Sequence, residues 1–311
     1  MAGIWTMGEL LVEIMRPKAG MQLYEPGEFL GPFPSGAPAI FIDTVARLGH
    51  TAGIIGGVGD DDFGRCVVDR LKADGVNCDY VQFFPNGVTA VAFVTYFQDG
   101  SRKFIFHFGL TPAVWAKFTG TEKIGQPTFF HVMGCSLMAN AEFRFQIFKA
   151  AEFFVQHGAR ITFDPNIRVE LLRGKALDEV IGPILEKCAI LFPGVQELQL
   201  LTGEAEVTNG VQKLFEKPSL EMIVLKRGKK GCTIFTRATT IDVPAFPVEE
   251  VDPTGSGDCF DAGFLCGLLE NKPLAECGKM AAAAGALNAQ AFGPMEGKIN
   301  PETLKAMLKE S

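Results

Sequence analysis

Short apolar runs alternate along this chain with longer stretches whose apolar residues recur every three to four positions. That is the pattern of a layered α/β fold built on a largely parallel sheet. Ile4–Thr6, Gly53–Gly56, Phe129–Val132, Arg160–Phe163, Ile190–Phe192 and Met222–Lys226 read as buried strands. Between them, Ala39–Leu48, Gly64–Asp74, Ala141–Gln156 and Leu177–Cys188 carry amphipathic helical spacing. Gly49 and Gly158 follow two of these helices closely, where a left-handed C-cap favours glycine.

Two stretches break the rhythm. Leu11–Phe33 is rich in glycine and proline and lacks helical spacing. Thr89–Phe108 predicts a hairpin around Gln98-Asp99-Gly100-Ser101, since Asp-Gly accepts the positive φ of a tight turn. Its arms, Val91–Phe97 and Lys103–Phe108, carry more aromatic residues than one face of a small sheet needs. A β lid standing over the main sheet accounts for them, and interior packing is the alternative. No repeat or low-complexity linker divides the chain. The expectation is a single domain over 1–311, with a β lid drawn from 11–34 and 84–110.

Composition narrows the class. The 311 residues are 47% hydrophobic and 21% charged, enough for a sizeable core and unlike a disordered chain. The net charge is −7 without a basic stripe, which argues against a nucleic-acid partner. No run is long and apolar enough for a membrane helix, and Met1–Gly8 does not resemble a secretory signal. The eight cysteines include no Cys-x-x-Cys pair, so free thiols in a reducing compartment are expected and a structural zinc is not. The expected location is the cytoplasm.

The densest chemistry lies in Val251-Asp252-Pro253-Thr254-Gly255-Ser256-Gly257-Asp258, followed by helical spacing over Cys259–Leu269. Glycines around a small residue let backbone amides approach an anion, and a helix start adds unpaired N–H groups and a positive dipole end. Such a cradle suits a phosphoryl group in flight. Asp258 stands where it could take a proton from a hydroxyl. Aspartate also caps helices, and local pattern alone does not separate the two roles.

Asp252-Pro253-Thr254-Gly255-Ser256-Gly257-Asp258-Cys259-Phe260 resembles the second signature of the ribokinase-like sugar kinases, the pfkB family. The resemblance implies a three-layer α/β/α fold with a β lid, an anion hole at Gly255, Ser256 and Gly257, and Asp258 as the base that deprotonates the acceptor hydroxyl. The family's first signature is similar to Ser35-Gly36-Ala37-Pro38-Ala39-Ile40, with Ser35 for a glycine and Ile40 for a sugar-binding asparagine. Gly36 matches and would let a sugar lie against the backbone. Gly8–Glu13 resembles the opening strand whose closing acid holds sugar hydroxyls, which makes Glu13 a substrate ligand one methylene longer than the usual Asp. Gly57–Gly64 resembles the family's Gly-x-x-Gly-x-Asp-x-x-Gly pattern. Phe104 and Phe106 fall where lid aromatics cover the substrate, and Asp164-Pro165-Asn166-Ile167-Arg168 resembles a motif whose arginine reaches the active site.

On the nucleotide side the resemblance implies ATP bound by Lys226, Gly228 and Gly231, by the cradle glycines, and by Asn288 on the small-residue helix Ala281–Asn288. Lysines near Gly228 could equally be solvated in a hairpin turn. Gly194-Val195-Gln196-Glu197 keeps only the Glu of an Asn-x-x-Glu motif, which gives Glu197 a water-bridged Mg2+ role. Asp252 and Gly293 would close a loop around a monovalent cation such as K+. Dimerisation through the lid is a further expectation.

Other phosphate schemes fail. The Gly-Lys pairs at 174, 228, 278 and 297 lack the P-loop pattern, and Asp62 stands where a dinucleotide fingerprint needs its third glycine. The sequence thus predicts an ATP-dependent sugar kinase acting on a ketohexose such as fructose or tagatose. A 2-keto-3-deoxygluconate kinase, a nucleoside kinase and a non-catalytic sensor on the same fold are the alternatives.

Overall fold

The computed structural model describes residues 3–99, 101–120, 124–172 and 174–309; Gly100, in the expected turn, lies outside them. The strands are β1 (Gly3–Met7), β2 (Leu11–Met15), β3 (Leu30–Ser35), β4 (Thr51–Gly59), β5 (Asn77–Phe84), β6 (Ala90–Tyr96), β7 (Arg102–His107), β8 (Phe129–Met133), β9 (Arg160–Asp164), β10 (Cys188–Leu191), β11 (Met222–Lys226), β12 (Cys232–Thr236) and β13 (Thr240–Val243). The helices are α1 (Ala37–Arg47), α2 (Asp62–Ala73), α3 (Gly134–Ala139), α4 (Ala141–Gln156), α5 (Val169–Leu172), α6 (Leu177–Leu185), α7 (Val195–Thr202), α8 (Val207–Leu214), α9 (Ser256–Leu269), α10 (Leu274–Ala289) and α11 (Pro301–Lys309).

Nine strands form one sheet in the order β13-β12-β11-β10-β9-β8-β1-β4-β5. From β11 to β5 every neighbouring pair is parallel, and only the β11–β12 and β12–β13 pairs are antiparallel. Parallel strands need crossovers, and the helices of those crossovers cover both faces. This is why β1, β8 and β10 are buried at every position and apolar but for Thr6 and His131. One face packs on α1, α2, α9 and α10, through Ile42, Val67, Phe264 and Ala283. The other packs on α4, α6 and α8, through Phe143, Ile147, Ile184 and Leu214. The fold is the layered α/β type anticipated above.

β3-β2-β6-β7 form a separate four-stranded sheet. It draws on both stretches that lacked helical spacing, and β6 and β7 pair antiparallel from Val91–His107 to Tyr96–Arg102. Leu11–Phe33 resists a simple reading because its organiser is a buried arginine. Arg16 donates to the carbonyls of Gln22 at 2.8 Å and Glu28 at 2.9 Å, and stacks its guanidinium over Phe29. The expected helix up to Cys188 ends at Leu185 instead, since Cys188 already pairs with Ile161 of β9. All eight cysteines are free. Among the described residues no helix is long and apolar enough to cross a membrane.

Candidate active site

A cavity of about 210 Å³ opens at the carboxyl ends of the parallel strands, where open α/β sheets hold ligands. Each strand end contributes one or two side chains: Glu9 beyond β1, Cys135 beyond β8, Asp164 and Asn166 at β9, and Lys226 at β11. The small sheet closes it from above. Phe104 and Phe106 of β7, with parallel rings 5.1 Å apart, face the cavity together with Arg102.

The floor is the start of α9. Gly255 precedes the helix at φ 78°, and a Cβ there would fall 2.6 Å from the Pro294 carbonyl oxygen and 2.9 Å from Ile40. Only glycine fits that turn. Asp258 is the third residue of α9 and is buried; the helix has no side-chain cap, so the capping role open in the sequence is not taken up. Burial pushes the Asp258 carboxyl up to about 8, nearby Asp164 adds to the rise, and Lys226 and Arg168 oppose it. Asn166 approaches it with Nδ2 at 3.4 Å from Oδ1.

Glu13 is buried at the cavity wall, and Ser35 donates to its Oε1 at 2.7 Å while Oε2 has no partner. Ser35 thus supports the longer acid at this position. Burial raises the Glu13 carboxyl to about 7. Gly36 borders the cavity at φ 107°, and a Cβ would fall 2.5 Å from the Glu9 carbonyl oxygen, so backbone approach alone already demands glycine. Ile40 also lines the cavity, and Arg168 stands at its edge.

A second space, a groove of about 380 Å³, lies on the other side of the Gly255–Gly257 turn. Its walls are mostly apolar: Phe246 faces the small residues Ala282, Gly285 and Ala286 of α10, with Gly228 and Gly231 at one end. Pro253, Gly257 and Lys226 border both spaces. Lys226 Nζ lies 2.8 Å from Asp164 and 3.3 Å from Asp261. Burial alone would raise the Asp164 carboxyl, but the Lys226 charge and hydrogen bond hold it below the usual range.

Four expected site residues are engaged with the protein's own backbone. Asn288 does not face the groove; it is fully buried and donates to the Thr254 carbonyl at 2.7 Å, bracing the turn from behind. Asp252 is fully buried, and Gly293 does meet it, but as a donor, 3.0 Å from Oδ2. Oδ1 accepts from Thr254 N and from the Tyr96 hydroxyl. Both Asp252 carboxylate oxygens already accept from N–H or O–H donors, and a monovalent cation would have to share them. Glu197 borders the cavity, yet its two oxygens accept from the Gly194 and Ile167 amides, each at 2.8 Å. Among the described residues no group of three or more His, Cys, Asp or Glu is placed to hold a metal.

The sequence reading passed over Glu9, Arg102 and Tyr96. Glu9 is buried in the wall, held by the thiol of Cys135 at 3.2 Å and the hydroxyl of Ser136. An acid directly after Gly8 at a strand end was the one local signal for it.

A family model described as pfkB family carbohydrate kinase matches residues 31–301. Fructokinase-1 of Oryza sativa subsp. japonica is 33% identical over 316 residues, spanning 97% of this chain and 96% of that protein. A crystal structure of a putative ribokinase II from E. coli in complex with ATP and Mg2+ superposes with a TM-score of 0.87 at 34% identity, covering 100% of both chains. A fructokinase double mutant from Vibrio cholerae O395, in its fructose-, ADP- and potassium-bound form, gives a TM-score of 0.87 at 26% identity, over 99% of this chain and 98% of that one.

Proposed function

Because the chain belongs to the pfkB family of carbohydrate kinases and is an ATP-dependent sugar kinase, we propose that its acceptor is fructose, phosphorylated on a primary hydroxyl with Asp258 as base. One observation carries the reading. The polar cavity under the aromatic sheet and the apolar groove meet at the Pro253–Gly257 turn, with Asp258 on the cavity side. Sugar and nucleotide would then approach each other across the turn that opens α9.

In this reading the Asp258 carboxylate takes the proton of the acceptor hydroxyl. The hydroxyl oxygen bonds to the γ-phosphorus as the bond from that phosphorus to the β-γ bridging oxygen breaks, and ADP leaves. The amides of Gly255 and Gly257 would stabilise the charge spread over the equatorial oxygens, while that of Ser256 holds the turn through the Pro253 carbonyl; positioning with electrostatics supplies most of such catalysis. Mg2+, when bound with ATP, neutralises phosphate charge; Glu197, with lone pairs left on both oxygens, supports a water-bridged contact.

A neutral ketose suits the cavity better than a sugar acid. Glu9, Glu13, Asp164, Glu197 and Asp258 line it against Arg102, Arg168 and Lys226, and Lys226 is already paired with Asp164 and Asp261, so acids outnumber the bases that a substrate carboxylate would need. The test is ADP release with fructose, tagatose, 2-keto-3-deoxygluconate and adenosine. Fructose is expected to give the highest kcat/KM; a higher value for any other acceptor replaces it as the substrate.

A further inference from the structure

The small sheet touches the main body at a point the reaction as described leaves unused. Tyr96 closes β6, opposite Arg102 of β7, the strand that carries Phe104 and Phe106. Its half-buried hydroxyl lies 2.5 Å from Asp252 Oδ1 and also meets the Thr254 hydroxyl. Asp252 is fully buried and holds the turn with that same oxygen, which accepts from Thr254 N at 2.9 Å. Its other oxygen takes the Gly293 amide. The loop carrying that amide meets the small sheet a second time, since the Phe292 ring lies edge-on to Phe33 of β3 at 5.8 Å. Two strands of the small sheet therefore converge on the carboxylate that precedes Gly255 by three residues.

The geometry points to Tyr96 as a positioning residue that couples closure of the small sheet over the sugar to alignment of the Gly255–Gly257 turn. A sugar that settles under Phe104 and Phe106 loads β7. The β6–β7 ladder carries that load to Tyr96, and the hydroxyl passes it to Asp252 and Thr254. Burial holds the phenol's proton more tightly than usual, so it remains a donor to the carboxylate through neutral pH. The consequence is selectivity between acceptors. The link is already made without sugar; a sugar held under Phe104 and Phe106 keeps it closed during transfer, and water, which cannot fill that space, does not. The inference rests on the reading of Gly255–Gly257 as the anion cradle.

Tyr96→Phe keeps the ring and removes only the hydroxyl. The measured quantity is the ratio of fructose-stimulated to sugar-free ADP release, with the KM for ATP alongside. Losing a hydrogen bond to a buried carboxylate should lower that ratio about tenfold, with the KM for ATP changed less than about twofold. A variant that is merely less stable would scale both rates together, and an unchanged ratio overturns the coupling. Should fructose fail to stimulate the wild type, the fructose reading falls, and amide exchange of the sugar-free protein decides the matter. Gly255–Gly257 should exchange faster in Tyr96→Phe while β8 is unaffected; equal exchange at the turn overturns the inference. If Tyr96→Phe does loosen the turn while transfer is undiminished, the cradle reading fails and the coupling with it.

Discussion

Asp258 combines two requirements that oppose each other. A base must be ionised to take a proton, yet burial and the Asp164 charge hold its proton up to about 8. With both substrates below saturation, kcat/KM should rise tenfold per pH unit through the neutral range and level off above about 8. A pH-independent profile would sink the assignment. Asp258→Asn should lower kcat by about 10²–10⁴-fold while nucleotide affinity, read by titration, stays within about twofold. More than a tenth of wild-type turnover in that variant would remove Asp258 from the base role. Glu13 differs, since its proposed part is to hold substrate and not to move a proton. Its Oε2 has no partner, a state that costs free energy unless a ligand hydroxyl fills it. Glu13→Ala should raise the KM for sugar about tenfold or more with little change in the KM for ATP. Unchanged sugar kinetics would show that β2 at Glu13 does not bind the sugar. Both residues were visible in the sequence. Ser35, which holds Glu13 from another strand, was quoted there only as a departure from the family pattern.

At the scale of elements, the start of α9 is the most constrained segment. Gly255 sits at φ 78°, and Pro294, Ile40 and Asn288 crowd the place of a Cβ. Gly255→Val should therefore abolish transfer and also lower the thermal midpoint by several degrees, because the strain is structural as well as chemical. Circular dichroism and ADP release on the same sample check both; a fully active variant would show that no anion hole lies here. The sequence announced this helix through its glycines and through the apolar run to Leu269. It gave little warning of β5, whose polar and apolar residues mix because it is the last strand of its sheet. The acid-rich start of α2 stays apart from the site. Asp61 caps α2 through Gly64 N and binds Thr89, so Gly57–Gly64 braces the entry to β6 and stays outside the cavity.

Across the whole molecule, the site lowers the stability of the fold that carries it. An acid whose pKa is raised by folding keeps its proton after the unfolded chain has lost it. Stability from this source is highest below the ordinary value of 3.8 and declines as pH climbs towards about 8. Glu13 and Asp261 are raised in the same direction, while Asp61, Asp74 and Asp164 are lowered and work against it. Comparing Asp258→Asn with the wild type isolates one contribution. The variant should melt several degrees higher at pH 8, and the gap should narrow towards pH 4. A gap that is constant with pH would mean that Asp258 carries no extra proton in the folded protein.

The sequence by itself determined the layered α/β class, the core strands, the second sheet and the turn that opens α9. Each of these rests on local periodicity or on a backbone conformation that few residue types tolerate. It also placed Glu13, Gly36, Phe104, Phe106, Arg168 and Asp258, all of which border one cavity. What surrounds them was decided only by the tertiary structure. Asn288 and Asp252 turn out to hold the turn from behind, and Glu197 braces two backbone amides. Tyr96 meets Asp252 across 156 residues of chain. A side chain's chemistry is written in the sequence, but its partner is fixed by which strands pair, and hydrogen bonds act over about 3 Å of space whatever the distance along the chain.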